Sequence, residues 1–311
     1  MSGAPLRLGF LGPAGTFTHA ALAASWRSDG AEAVPFPTER ETILAAERGE
    51  IDACLVPIEN SIEGGVNASL DTLAFDAEGV SIVGEEVLPV THALIARAGV
   101  AVEEITAVVS HPQPLGQCRR WLSEHLGDFR PIAATSTAEA VRLVSQSDEP
   151  HAAIGTTTAA DLYGATVLAS GIEDEHGNET RFLWLAPTPT NPFALPASAA
   201  GEGGGATPSA SPAAGAASAP RLGAPKTSLV FHGAGDASPG WLVRCLSELA
   251  FRGINLTRIE SRPLKRQLGH YLFFVDAEGD AADPAVAEAI ERLRVHAEVV
   301  RVLGSYPRAL R

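Results

Sequence analysis

A threonine, an arginine and an aromatic residue stand together at Thr180-Arg181-Phe182, in a run from Gly171 to Leu185 that precedes a long spacer of small residues. A hydroxyl, a guanidinium and a ring side by side suit a site that holds a small anionic ring compound, although the tripeptide also fits an ordinary half-buried strand. More polar residues collect where short apolar runs end. They are Gly12-Pro13-Ala14-Gly15-Thr16-Phe17-Thr18, Glu59-Asn60-Ser61, Ser110-His111-Pro112-Gln113 and Gly155-Thr156-Thr157-Thr158. In open α/β sheets the carboxyl ends of the strands form the ligand crevice, and helix N-termini there favour anions. Thr16, Ser110 and Thr156 are each plausible as plain N-caps. The four loops taken together are better explained by one cleft. Glu59 follows directly on an apolar strand, so its carboxyl group is either a partly desolvated acid or a capping or surface residue; the residues alone leave both open.

Other chemistries find little support. The glycines of residues 12 to 15 match neither G-x-G-x-x-G nor a P-loop, and His19 and His111 have no partners at metal-ligand spacing. Cys54, Cys118 and Cys245 are odd in number and far apart, which points to reduced core thiols rather than a disulfide framework. A formal charge of -14 argues against nucleic acid or an anionic membrane as partner, so an anionic substrate must be met by a local cluster of donors. No segment reads as an export signal or is apolar for long enough to span a bilayer, and the expected location is cytoplasmic.

The elements that must carry these residues divide into two regions. At 311 residues, 45% hydrophobic and 19% charged, the chain has room for two globular domains. Up to residue 187, strands such as Leu6 to Leu11, Ala53 to Ile58, Ala107 to Val109 and Ala152 to Ile154 alternate with helices such as Thr38 to Arg48, Leu115 to Leu126 and Thr137 to Val144. That alternation predicts an α/β domain with mostly parallel strands. Residues 188 to 225, dominated by Pro, Ala, Gly and Ser, read as a flexible linker. From 226 to 311 the order is strand, helix, strand, strand, helix, strand: Thr227 to Phe231, Trp241 to Phe251, Asn255 to Ser261, Tyr271 to Asp276, Pro284 to His296 and Val299 to Leu303. This is a βαββαβ, ferredoxin-like module.

Several of these motifs carry a resemblance. Gly12-Pro13-x-Gly15-Thr16-Phe17, Val56-Pro57-Ile58-Glu59-Asn60-Ser61-Ile62-Glu63-Gly64, Ser110-His111-Pro112-Gln113-Pro114 with Gln117-Cys118, and Thr180-Arg181-Phe182 resemble prephenate dehydratase, in family order. Asn255-Leu256-Thr257-Arg258-Ile259-Glu260-Ser261-Arg262-Pro263 resembles the regulatory ACT domain that follows it in that family. The extended linker departs from the compact family pattern.

The resemblance implies a two-lobed catalytic domain like type II solute-binding proteins, with residues 1 to 90 and 171 to 187 in one lobe and 91 to 170 in the other. It implies conversion of prephenate to phenylpyruvate, carbon dioxide and water in phenylalanine biosynthesis, without a cofactor or a metal. Thr180 is then the essential hydroxyl, with Glu59 or a water as proton source and Asn60, Ser110 and Gln117 as neutral donors. Thr16, Ser61, Arg181 and Phe182 complete the expected substrate contacts, Arg181 being either a bidentate carboxylate partner or a structural ion-pair residue. In the second module the resemblance implies phenylalanine binding by Gly240, Trp241, Leu242, Asn255, Glu260, Ser261, Arg262 and Pro263. Trp241, bulkier than the usual alanine, is expected to narrow that pocket or to pack at a subunit interface. The family pattern implies a homodimer or homotetramer. Arogenate dehydratase and a non-catalytic anion sensor of the same fold are the alternatives.

Overall fold

The computed structural model describes residues 4–194, 222–233 and 238–310. Most of the expected linker, residues 195–221, lies outside the described residues. The first lobe holds β1 (Arg7–Leu11), α1 (Phe17–Ala24), β2 (Glu32–Phe36), α2 (Glu39–Glu47), β3 (Ala53–Asn60), β4 (Gly64–Gly65), α3 (Asn67–Phe75) and β5 (Val80–Pro89). The chain then passes into a second lobe of β6 (Ala93–Ala96), β7 (Ala107–Ser110), α4 (Pro112–Gln117), α5 (Arg119–His125), β8 (Arg130–Ala133), α6 (Thr137–Ser145), β9 (His151–Gly155), α7 (Thr157–Tyr163) and β10 (Thr166–Ser170). It returns to the first lobe as β11 (Glu179–Pro187).

The first sheet runs β2-β1-β3-β11-β5 with β4 on β3, and the second runs β10-β6-β9-β7-β8. Inserting the returning strand between the third strand and the last is the arrangement of type II solute-binding proteins. It also corrects the expectation of mostly parallel strands. β1 lies parallel to β2 and β3, but β11 runs antiparallel to both of its neighbours, and so does β6 in the other sheet. A strand that crosses between lobes enters its new sheet from the opposite end. The expected helix from Leu115 to Leu126 is likewise two, because the backbone leaves helical angles at Cys118 (φ -111°, ψ 10°).

The helices begin where their sequence provides caps. Thr16, Thr38, Ser136 and Thr156 each accept a backbone N–H three residues on, satisfying one of the orphan donors of the first turn. Phe193, assigned to the linker from composition, instead packs edge-on against Trp184 and Trp26 in the core of the first lobe.

The second module is β12 (Pro225–His232), α8 (Trp241–Ala250), β13 (Leu256–Pro263), β14 (Tyr271–Glu278), α9 (Pro284–His296) and β15 (Val299–Pro307). Its antiparallel sheet has the ferredoxin-like order β13-β14-β12-β15. Side chains alternate across each strand. Leu229, Phe231 and Val275 face the helices, with Trp241, Cys245 and Ile290. Val230, Leu272, Phe274, Leu303 and Tyr306 face the other way and share one buried cluster with Ile43, Val56, Ile58, Ile82 and Leu183 of the first lobe. Gly304 permits the close approach of β15 to β5, since a Cβ there would collide with the backbone of Ile82. The two regions are thus joined by a common apolar core.

Candidate active site

β3 and β11 bring two short polar motifs into register, Thr180 opposite Asn60 and Arg181 opposite Glu59. Residues directly opposite share a face and their successors take the other, so the two pairs point in opposite directions. On the cleft side, Asn60 Nδ2 donates to Thr180 Oγ1 at 3.0 Å. Asn60 Oδ1 accepts from the backbone N–H groups of Ile62 and Glu63, both at 3.0 Å, which fixes the amide's orientation. With a lone pair of Thr180 Oγ1 engaged by Asn60, the hydroxyl proton is available to donate.

This pair lines a cavity of about 230 Å³ together with Phe17, His92, Gln117 and Asn178. The starts of α1, α4 and α6 reach its wall through Phe17, Gln113 and Thr137, and among the described residues neither Lys nor Arg lines it. Gln117, at the end of α4, places Oε1 2.9 Å from His92 Nε2, while its Nε2 donates to Glu63 Oε1 at 3.4 Å. His92 is only 1% exposed, and burial lowers its pKa against the opposing effect of the Gln117 hydrogen bond. A neighbouring cavity of about 220 Å³, walled by Glu173, Asp174 and Glu175, shares Gln117 and Asn178 with the first.

Other expected site residues lie elsewhere. Ser110 is fully buried and donates to the Ile154 carbonyl at 2.9 Å, bridging β7 and β9 rather than facing the cavity. Thr16 caps α1 and donates to the Leu11 carbonyl, so its hydroxyl is committed to the loop. Thr156 does not join the cleft, because its hydroxyl crosses to the Gly15 carbonyl at 2.7 Å and, with Tyr163 on the Ala14 carbonyl, ties the lobes together. Ser61 accepts from the backbone of Glu179 and donates to Asn178. Phe182 is a core residue, 1% exposed, beside Leu8, Phe10 and Trp184. Alternation along β11 turns that ring inward.

Glu59 and Arg181 face the second module, not the cleft. Arg181 makes ion pairs with Asp276 of β14 at 2.7 Å, Glu59 at 3.0 Å and Glu85 at 3.2 Å. Lys226 of β12 pairs with Glu85 at 2.9 Å, and Arg258 of β13 lies 3.5 Å from Glu59. Burial alone would lower the Arg181 pKa, but Asp276, then Tyr306, Glu85 and Glu59, hold it above its ordinary value. Burial drives the Tyr306 hydroxyl up, and Asp276 adds to the rise. Glu59, Glu85, Arg181, Lys226, Arg258 and Asp276 line a cavity of about 450 Å³ at the seam between the two regions.

In the second module Gly240, Trp241 and Leu242 line a cavity of about 470 Å³ with Tyr271 and Phe273. Gly240 precedes α8 with φ +75°, a backbone conformation that favours glycine. Trp241 is 5% exposed, donates Nε1–H to the His296 carbonyl and packs on Phe231 and Phe273, so it belongs to the module's own core. The Glu260 to Pro263 motif is divided by the strand's alternation. Ser261 and Pro263 oppose Phe273 and Tyr271, on the pocket's side. Glu260 and Arg262 point to the first lobe, Arg262 gripping Asp71 with two hydrogen bonds of 3.0 Å. Asn255 is exposed ahead of β13.

A family model described as prephenate dehydratase matches residues 8–190. The chain is 39% identical to a prephenate dehydratase of Amycolatopsis methanolica over 97% of its own length and 89% of that protein's. The chain belongs to the prephenate dehydratase family. Among solved structures, a prephenate dehydratase from Arthrobacter aurescens in complex with L-Phe has a TM-score of 0.80 at 37% identity, covering 98% of this chain and 90% of that one. A structure described as a quorum-quenching acylase also superposes, with a TM-score of 0.77 at 28% identity over 97% of this chain and 98% of its own.

Sequence reasoning about this dehydratase missed His92 and Asn178. Asn178 stands two residues before Thr180, and a period of two places both on one face of an extended segment. That spacing is the signal the sequence offers for Asn178. His92 lies in an apolar stretch between lobes, and no local pattern marks it. Among the described residues no group of His, Cys, Asp and Glu gathers at metal-binding distance. Cys54, Cys118 and Cys245 are buried free thiols.

Proposed function

We propose that this chain converts prephenate to phenylpyruvate at the Asn60–Thr180 pair, as a carbon–oxygen lyase. The carboxylate's bond to the ring breaks and releases carbon dioxide, its electron pair enters the ring, and the ring's bond to the hydroxyl oxygen breaks. The departing hydroxide takes a proton and leaves as water. Aromatisation supplies the driving force, so the protein needs only to hold a dianion and ease the leaving group.

The observation that carries this reading is the orientation of the pair: Asn60 is locked by two backbone N–H groups and fills an acceptor site of Thr180 Oγ1, leaving the hydroxyl to donate to the departing oxygen. Donors aimed in advance at developing charge are worth roughly 10²–10³ in turnover each. A threonine hydroxyl is too weak an acid to supply the proton outright, and Glu59 faces the second module, so the net proton comes from bulk solvent, relayed to the departing hydroxide through a bound water. In a cavity without Lys or Arg, the substrate carboxylates are met by helix N-termini and by the amides of Gln117 and Asn178. An acylase would need its nucleophile beside a base, whereas Thr180 stands beside an amide.

The second module is an ACT-type regulatory domain that takes phenylalanine near Gly240 as a feedback inhibitor, in a homodimer or homotetramer in the cytoplasm, with the domain limits of the sequence reading except that the first domain runs on to Phe193. The cavity walled by Phe273, Tyr271 and the αL glycine at the start of α8 supports an amino acid with an aromatic side chain. Initial rates of the purified protein with prephenate and with arogenate test the activity. Phenylpyruvate formation from prephenate is expected, and turnover of neither compound rejects it. Calorimetric titration with phenylalanine tests the module, no binding being the result that overturns it.

A further inference from the structure

We propose that His92 is a positioning residue for this dehydration, holding the Gln117 carboxamide so that its NH₂ edge faces the substrate. The proposal rests on the cleft reading above and adds to it a residue that stands at the junction of the lobes. His92 lies between β5 and β6, where the chain first crosses, and its carbonyl accepts from Gly171 at 3.0 Å and Ile172 at 3.2 Å on the returning segment. Its backbone N–H donates to Glu173 Oε2 at 2.9 Å. Both crossings therefore meet at one residue, and its main chain is held on both sides.

The imidazole is held as closely. Its edge meets the Phe17 ring at 5.5 Å between centroids, and its Nε2 meets Gln117 Oε1 at 2.9 Å. The acceptor at Nε2 is a carbonyl oxygen, so Nε2 must carry the proton. Nδ1 is buried without a hydrogen-bond partner among the described residues, the setting of a bare nitrogen. One tautomer of the neutral ring satisfies both ends. Burial, which lowers the pKa here, favours that neutral form; Glu173 is the charged group that bears on it, and Glu63 is reached only through Gln117.

With Oε1 captured by the imidazole, the Gln117 NH₂ group is left with the long 3.4 Å contact to Glu63 and the open cavity. An anionic substrate thus meets a donor. Were the amide free to turn, it would meet a carbonyl oxygen as often. A hydrogen bond to a charged group corresponds to roughly tenfold or more in kcat/KM.

The test is a double-mutant cycle on the full chain. His92→Leu should reduce kcat/KM about tenfold, mostly through KM, because the donor serves the bound anion throughout. His92→Gln, whose side-chain NH₂ can replace Nε2–H, should restore at least about a third of wild-type kcat/KM, since a substitute bond of the same type recovers most of a neutral contact. His92→Leu added to Gln117→Ala should cost nothing further, since the imidazole acts through the amide. The wild type should lose activity on the acid side as His92 takes a proton that has no acceptor at Nδ1, and His92→Gln should lack that limb. Nitrogen NMR of the ring should show protonated Nε2 and bare Nδ1 at neutral pH. Additive losses in the double variant, or an Nδ1–H tautomer, overturn the proposal; should His92→Leu not fold, His92→Gln and the tautomer decide it. Full activity in Gln117→Ala rejects the cleft reading instead.

Discussion

One strand presents two opposite environments at adjacent residues. Thr180 faces a cavity lined by amides, hydroxyls and the imidazoles of His92 and His111; Arg181, the next residue, faces a seam where the cations Arg181, Lys226 and Arg258 meet the anions Glu59, Glu85 and Asp276. The charged groups therefore join the two regions, and the proposed chemistry falls to the polar groups of the cavity. The reason lies in what each face must do. A docking face has no ligand to exchange, so its charges can be matched permanently and still be buried. A cleft must release its product, and dipoles fixed by the backbone can meet an anion without closing on a permanent countercharge.

The strongest test of that division is Arg181→Met. It leaves Asp276, 5% exposed, without its 2.7 Å ion pair, while Glu85 keeps only Lys226. Removing one partner of a buried ion pair costs about 3–5 kcal/mol, so the melting temperature should fall steeply and the second module should come away from the first lobe. Limited proteolysis and differential scanning calorimetry read this directly. A raised KM with an unchanged melt would mean that Arg181 holds substrate and that the two faces are not separate.

Thr180→Val sits on the other side of the comparison. The substitution keeps the shape and the β-branch but removes the hydroxyl, so folding should be untouched while turnover falls roughly 10²-fold or more, as for loss of one preorganised donor. Circular dichroism with initial rates separates the two effects. Turnover near the wild-type value would remove Thr180 from the mechanism.

Much of this arrangement was legible in the chain. Asn60, Gln117 and Thr180 sit in motifs whose types announce polar work, and the unbroken apolar run Leu229-Val230-Phe231 gives a strand with two buried faces. What escaped was direction. Glu59 and Asn60 are neighbours in one motif, as are Thr180 and Arg181, and a motif read as a unit hides the alternation that sends its members to opposite sides. Glu260 to Pro263 divides in the same way, Arg262 reaching Asp71 while Ser261 turns towards the helices. His92 escaped for a different reason: its partner Gln117 lies 25 residues further on, and that contact exists only once the second lobe has folded.

Asp276 sharpens the comparison through pH. Burial pushes its carboxyl pKa up, but Arg181, then the Ser228 hydrogen bond, Arg258 and Lys226, outweigh burial and hold it below the ordinary value of 3.8. A carboxyl group depressed on folding contributes stability that is present above its unfolded value and disappears as pH falls through the folded one. The wild-type melting temperature should therefore decline on acidification below about pH 4 more steeply than that of Asp276→Asn. Parallel declines would show that the carboxylate is not held by the seam.

The smallest effect is expected at Glu59, and for that reason it discriminates best between motif and geometry. Its side chain is 39% exposed, against 12% for Arg181, and it can lose its charge while Arg181 keeps Asp276 and Glu85 and Arg258 keeps Glu260. Ion pairs with one exposed partner contribute roughly 0–1 kcal/mol, so Glu59→Gln should shift the melting temperature by only a few degrees at most. Turnover should stay within about threefold of wild type, with its pH profile unchanged, because strand alternation directs this carboxyl group away from the cavity that holds Thr180. A sharp loss of turnover together with a flattened alkaline limb would restore Glu59 as the acid. It would also require the seam to open during the reaction, so that one face of β11 could do the work assigned to the other.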